Sequence, residues 1–502
     1  MYCIGKMETK SSVNFGAVPA GVAYKDALRS STDHIRDSRK VVIRPSSGSG
    51  SFGPGSQTEC TFFIDDSANG SFLHPDSCYI TCDIQTVTAV GGATGVASAN
   101  FNSSANDILD RVTVRGKRSR VQLADCRSYG LWSALQDKLN YPKSYEGHAP
   151  WSRGFVDQVK DDGHPDANAV TLFSENYGLV SRGDSNVTEL GAGTRRYKLE
   201  LKYCPFFANK LLIPLSSTGG VSLDLAFARV NDAFVGYQTA NGTAATTTLD
   251  YRVTNMRLHA QISYMNERFM QAYNSQILKG GISIPYDSYV ALQHIPQSTN
   301  ESIRLSSNLE FCKSIFVCHR FTSDLNAIAK PSLAHLGNPK LEEIQLIASG
   351  LVQPTTPLIC ATSAGTNVTG QMVEELVQAQ KTIDPSFHAK DFQIQKQSME
   401  ITLATADKGT AVGSNTGPKF AEVAGWNGSH VVGLSLDSGS PFSSIYNRTS
   451  TTMQGSTGKG DLMATLKYTD DPSSYTANFF MYHSNVLKIG PNGAMIPYQL
   501  SM

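Results

Sequence analysis

Along this chain, apolar side chains return at every second position in short bursts, and each burst is closed by a cluster of turn-forming residues. Tyr197, Leu199, Leu201 and Tyr203 alternate with polar or charged residues, and so do Val221, Leu223, Leu225 and Phe227. A period of two puts alternate side chains on opposite faces of a strand, so each burst predicts a strand with one face on a core. Further strand signals fall at Val41–Ile43, Cys60–Ile64, Tyr79–Ile84 and Ile108–Val114, divided by SSGSGSFGPGS and ANGSFLHPDS. In the second half they recur near 281–293, 302–306, 313–320 and Leu341–Ala348. Many short strands at regular spacing with turns between them predict β-sandwiches.

The period changes in three places. ADCRSYGLWSALQDKLNYP carries Leu131, Leu135 and Leu139 at helical spacing and is stopped by Pro142. NERFMQAYNSQILKGG offers Asn266 as a helix cap, Phe269, Met270, Tyr273 and Ile277 as an apolar stripe, and Gly280 as an end. A third helix is predicted over about Met372–Lys381. The second helix divides the chain into an N-terminal arm at 1–40, a first sandwich at 41–265 and a second at 266–502. Residues 143–195 have little periodicity and many turn formers, which predicts a long exposed insert in the first sandwich. DILDRVTVRG followed by a helix corresponds to KLEEIQLIASG followed by a helix, a sign of duplication.

Size and charge narrow this picture. At 502 residues and 54.2 kDa the chain is too large for one core, so two are expected. Charged residues make up only 17% and glycine reaches 42, which favours strands and turns over long helices. Lys plus Arg and Asp plus Glu balance at 43 each, so no global field draws the chain to nucleic acid or an anionic membrane. No apolar run approaches the roughly 18 residues of a membrane span, and the opening MYCIGKMETKSSVNFG lacks a signal-peptide core, so a reducing compartment is expected. Cys60, Cys78, Cys82, Cys126, Cys204, Cys312, Cys318 and Cys360 sit in apolar or strand-like runs and read as small buried hydrophobes. Cys78 and Cys82 share a strand face, but no second pair at ligand spacing accompanies them.

Candidate chemistry is sparse. Gly48, Gly50 and Gly53 spell GxGxxG, but Pro54 follows instead of a helix. Gly458-Lys459 lacks the first Gly and the Ser or Thr of a nucleotide loop. Arg111, Arg115, Lys117, Arg118 and Arg120 form the densest basic cluster, read as a solvated hairpin because no aromatic platform is interleaved with it. Asp162, His164, Asp166 and Asn168 loosely resemble a calcium loop without its glutamate, and Arg182-Gly183-Asp184 is an RGD tripeptide in the same insert. Sequons occur at Asn69, Asn102, Asn186, Asn241, Asn300, Asn367, Asn427 and Asn447 and are expected to stay mostly unmodified. His259, His294, His319 and His483 are scattered singly in strands, with no GxSxG elbow, HExxH helix or carboxylate pair beside them. The sequence therefore predicts no catalytic, cofactor-binding or metal-binding residues, and no enzyme.

Five segments in order give the chain a likeness. ANDILDRVTVRGKRSRVQLADCRSYGLWSALQDKLNY, KLLIPLSSTGGVSLDLAFARVNDAFV, RLSSNLEFCKSIFVCHRFTSDLN, GNPKLEEIQLIASGLVQPTTPL with MVEELVQAQ, and the closing run SHVVGLSLDS, DLMATLKYTDD, TANFFMYHSNVLKIGPNGAMIP span nearly the whole chain. Together they resemble the double jelly-roll major capsid proteins of polinton-like viruses, virophages, adintoviruses and the large nucleocytoplasmic DNA viruses. The resemblance implies an all-β fold of two consecutive eight-stranded antiparallel jelly-roll sandwiches with a few short helices in the connections. It also implies a homotrimer forming a pseudo-hexagonal capsomer that tiles an icosahedral double-stranded DNA virion, assembled inside the host cell. Its partners would be neighbouring trimers, minor or cement proteins, a penton protein and an internal membrane, with no sequence-specific nucleic-acid binding. The rival reading is a carbohydrate-active or carbohydrate-binding β-sandwich, which the low count of three Trp (Trp132, Trp151 and Trp426) disfavours. A third, nucleic-acid binding through the arm and the 111–120 cluster, predicts affinity that falls steeply with salt.

Overall fold

The computed structural model describes residues 35–47, 50–88, 96–140, 179–182, 195–238, 249–306, 311–325, 333, 336–348, 351–362, 367–384, 430–436, 453–454, 462–490 and 495–498. Sixteen strands carry the architecture. The first eight are β1 (Ile35–Ile43), β2 (Glu59–Ile64), β3 (Ser71–Thr88), β4 (Leu109–Gly116), β5 (Gln122–Arg127), β6 (Arg195–Glu200), β7 (Val221–Phe227) and β8 (Leu249–Met265). The second eight are β9 (Ile282–His294), β10 (Asn300–Ser306), β11 (Phe311–Phe321), β12 (Leu341–Ala348), β13 (Leu351–Ile359), β14 (Val431–Ser435), β15 (Leu462–Tyr468) and β16 (Tyr475–Ile489). Every pairing among them is antiparallel.

Sheet I runs β1-β8-β3-β6 and sheet II runs β2-β7-β4-β5. Sheet III runs β9-β16-β11-β14 and sheet IV β10-β15-β12-β13, the same two orders with eight added to every strand number. Apart from the β4–β5 and β12–β13 hairpins, strands that follow one another within a sandwich are dealt alternately to its two sheets, which is jelly-roll wiring, and the chain is a double jelly roll. The two segments read as a duplication hold the same place: β4 and β12 are each third in their sheet, and each is followed by a further strand and then a helix. Short extra strands extend the frame, Ser51–Phe52 on β8, Ile213–Pro214 on β3, Met453–Gln454 on β11 and Met495–Tyr498 on β16.

Alternation works as predicted where one face of a strand meets a core. Phe62, Ile64, Val112, Val114, Leu223 and Leu225 of sheet II meet Ile80, Ile84, Val253 and Leu258 of sheet I. In the second sandwich Ile315, Val317, Phe479 and Met481 meet Ile344, Leu346 and Leu466. Local readings shift in three places. Residues 35–40, assigned to the arm, lie in β1, an edge strand whose charged side chains face water; charge there discourages pairing with another chain. SFLHPDS, read as a turn, lies within β3, where Pro75 occupies an irregularity in the ladder and the Ser77 hydroxyl accepts the Gln261 N–H at 2.9 Å. The strand containing Tyr197 stops at Glu200, and tight turns after it carry Phe206 and Phe207 into the core.

The three longer helices are α1 (Tyr129–Asn140), α2 (Glu267–Gly280) and α3 (Gly370–Ile383). Asn266 caps α2, its side-chain oxygen accepting the Phe269 N–H at 2.9 Å, as its sequence position predicted. The helix closes through Gly281, not Gly280: Gly281 sits at φ 83°, and a Cβ there would meet the Ile489 carbonyl at 2.6 Å. Thr369 caps α3 through the Met372 N–H. That helix lies so close on β14 that a Cβ at Gly433 would come within 2.7 Å of Leu376.

Candidate assembly interface

The two sandwiches meet through unlike surfaces. Phe316, Phe480 and Tyr289 point away from the second core, onto the outer face of sheet III, and belong to the cluster continuous with the first core. Trp132 of α1 is 1% exposed and lies over them, its ring 4.9 Å from Tyr289, 5.0 Å from Phe480 and 5.6 Å from Phe316. Its indole N–H is satisfied by the Tyr203 carbonyl at 3.0 Å. Beside α1, the free edge of β5 faces the same sheet. The Tyr286 hydroxyl donates to the Leu123 carbonyl at 2.7 Å and the Tyr289 hydroxyl to the Arg127 carbonyl at 3.2 Å, so β9 supplies donors to carbonyls that an edge strand leaves without a ladder partner.

A polar link completes the junction: the Gln380 amide of α3 donates to Gln136 at 2.9 Å and to Asn140 at 2.8 Å, both on α1. Met495, 1% exposed, comes up to the β4–β5 hairpin, where a Cβ on Gly116 would meet its side chain at 3.4 Å. Tyr286→Phe is expected to destabilise the protein by about 1–2 kcal/mol, because it strands a buried carbonyl without changing shape. Chemical denaturation checks this, and an unchanged midpoint would show that the bond contributes nothing.

The basic cluster folds onto the outer face of sheet II, where Arg111, Arg115 and Lys117 find carboxylate partners. Arg111 grips Asp125 with two N–H groups, Arg127 reaches the same carboxylate at 3.1 Å, Arg115 pairs with Asp224 at 3.0 Å and Lys117 with Asp65. Burial pushes the Asp125 carboxyl up, but Arg111 and Arg127 outweigh it and hold it below the usual range. Arg111, Arg115 and Asp224, with Arg120, Glu59 and Thr61, line a groove of about 490 Å³ of mixed charge. The sequence could not show this, because the acidic partners come from β2–β3, β5 and β7.

The remaining motifs offer no reaction centre. The described cysteines are all buried, and burial pushes the thiols of Cys60, Cys78 and Cys312 up to about 12. Cys78 and Cys82 do share a face, the one turned into the first core. His430 and His483 are pushed down to about 4 by burial, and buried His319 well below its ordinary value. His259, stacked on Tyr79 at 4.6 Å, is lowered as well, by burial first and then by Arg257. His294 lies 3.6 Å from Glu301.

Gly53 sits at φ 145° with a Cβ position 2.4 Å from the Tyr251 carbonyl, a tight turn on β8 with no helix behind it. Asn102 is fully buried and donates to the Asn231 and Asp232 carbonyls, which bars modification of that sequon in the fold, whereas Asn69 and Asn300 are exposed. Arg182 ends a short strand; Gly48, Gly183-Asp184, 162–168, Gly458-Lys459, Trp151, Trp426 and the remaining sequons except Asn367 lie outside the described residues. Asn367 falls in a short strand. Among the described residues no group of three or more His, Cys, Asp and Glu is placed to hold a metal ion, and no helix is long and apolar enough to cross a membrane.

No protein-family model and no curated protein sequence matches the chain. Solved structures do. A chain in the cryo-EM structure of the Sputnik virophage superimposes with a TM-score of 0.51 at 11% identity, covering 93% of this chain and 89% of that one. The Faustovirus major capsid protein superimposes with a TM-score of 0.50 at 9% identity, covering 90% of each. At such identities the likeness is one of fold, and it extends over both jelly rolls.

Proposed function

We propose that this double jelly roll is a structural shell protein, the major capsid protein of a double-stranded DNA virus. Copies self-associate into trimers whose six sandwiches form a pseudo-hexagonal block, and the blocks tile the faces of an icosahedral virion. The observation that carries this reading is the edge-to-face union of two identically wired sandwiches, in the fold shared with the Faustovirus major capsid protein. The buried thiols and depressed histidines suit a scaffold better than an enzyme. On this reading the part of the 1–40 arm that precedes β1 and the insert (143–195) are contact segments, and the units divide at Asn266. Minor or cement proteins, a penton protein and an internal membrane are the further partners, and the virion is where the protein resides.

Three of the five cations of the basic cluster are paired with Asp125, Asp224 and Asp65, which argues against nucleic-acid binding. Trp132, enclosed at the junction, is withdrawn from any sugar-binding cleft. The test is the mass and shape of the purified chain. Light scattering is expected to give three times the 54.2 kDa of one copy, with hexagonal outlines by electron microscopy. A stable monomer at micromolar concentration, or turnover of a glycan substrate, would overturn the proposal.

A further inference from the structure

The junction inside the chain joins two different patches on two bodies of the same wiring: the β5 edge with α1 on the first, and the outer face of sheet III on the second. Each sandwich therefore has one edge of the first kind and one face of the second. Within a single chain half of them are used. Among the described residues the edge left over is β13, at the same end of sheet IV that β5 occupies in sheet II; the face left over is the outside of sheet I beyond the Phe72 end that α2 covers.

Both leftovers carry exposed apolar side chains. On β13, Val352 is 41% and Ile359 45% exposed. On sheet I, Val41 and Ile43 turn toward the core, so Ser38, Lys40 and Val42 face out, and Val42 is 54% exposed. The His259–Tyr79 stack lies on that same outer face, with Ile80 and Leu258 behind it. Only seven large apolar side chains are exposed among the described residues, and these two patches hold three of them. Pro354 and Pro357 deprive β13 of two N–H groups, so it is unsuited to taking up another strand and suited to docking by its side chains.

We infer that the β13 edge of one copy, through Val352 and Ile359, seats on the outer face of sheet I of the next copy around Val42. This repeats between chains the packing that β5 makes within one. The inference rests on the proposed self-assembly and specifies its contact. Because the two patches differ, the contact is head-to-tail and closes into a ring when the rotation per copy divides a full turn. The inner version has an aromatic centre with hydrogen bonds beside it and is fixed by the chain itself. The outer one, bordered by Ser38, Lys40 and His259, has the mixed polarity of surfaces that come together after folding.

The test uses exposed positions, where substitution spares the cores. Val42→Glu and Ile359→Glu are each expected to weaken self-association at least tenfold and yield the 54.2 kDa species, with the circular dichroism of the folded chain unchanged. Leu278→Glu, on α2 and 73% exposed, is expected to leave the assembly intact. In a Cys3→Ser background, the described native thiols being buried, copies bearing Val42→Cys are mixed with copies bearing Val352→Cys or Ile359→Cys. A short bismaleimide is expected to join unlike copies and to leave each variant alone unjoined. If the wild type assembles while both Glu variants assemble equally well and no unlike pair is joined, this contact is wrong and the proposed function stands. A monomeric wild type overturns both.

Discussion

Trp132→Ala is expected to cost about 3–5 kcal/mol, the range for emptying an enclosed aromatic site, and to split one unfolding transition into two. Trp132 bridges Tyr289, Phe316 and Phe480 across the sandwich junction, and its removal leaves a void and a Tyr203 carbonyl without its donor. Each sandwich has its own inner core, so loss of the bridge affects their coupling more than either body. Differential scanning calorimetry reads both effects. A loss below about 1 kcal/mol with a single unaltered transition would mean that the bridge carries little of the cooperativity.

Acid is expected to weaken the second sandwich in a defined window. His430 and His483 are buried and neutral in the fold, with pKa values pushed down to about 4 from an ordinary 6.5. The unfolded chain therefore binds these protons first as pH falls. Stability is whole above pH 6.5, declines between 6.5 and 4, and is not reduced further by these groups below 4. Each contributes roughly 3 kcal/mol to the decline, about 6 kcal/mol together, and His319 acts in the same direction.

Asp83 and Asp125, held low by arginines, lose their contribution only below the ordinary carboxylate range, whereas Asp110 and Asp232, raised by burial, work in the opposite sense. His430→Leu separates these effects, because among the described residues neither ring nitrogen of His430 has a hydrogen-bond partner to lose. The variant is expected to match the wild type at pH 7 and to show a shallower decline. An equal slope in denaturation measured from pH 7 to 4 would exclude His430 as a source.

What could be read along the chain was whatever a single strand or helix states about its own faces. Leu223 and Leu225 alternate because β7 has one wet face, and Leu131 and Leu135 recur because α1 has a core side. Ordered segments supplied the jelly-roll wiring through resemblance, where periodicity alone stopped at sandwiches. The junction went unread, although it left a signal. CKSIFVCH and ANFFMYH do not alternate, since β11 and β16 are buried on both faces, the mark of a strand covered from outside as well as from the core. Residues 35–40 misled for the converse reason: an exposed edge strand keeps charge on both faces and reads like an arm. The partners of Arg111 and Arg115 were illegible because Asp125 and Asp224 reach them only through register between distant strands.

The interlocked junction also constrains the order in which the protein becomes itself on the ribosome. β5 and α1 are complete by residue 140, but Tyr286, Phe316, Phe480 and Met495, which cover them, emerge much later. At bacterial to eukaryotic elongation rates of about 5–20 residues per second, the wait is of the order of twenty seconds to more than a minute. During that interval the nascent first sandwich presents an unpaired edge and the Trp132 side of a helix to solvent. A neighbouring nascent chain offering its own sheet III is the natural competitor for that edge, so slow translation through 282–495 favours exchanged dimers, and a holding chaperone on the early sandwich favours the correct fold.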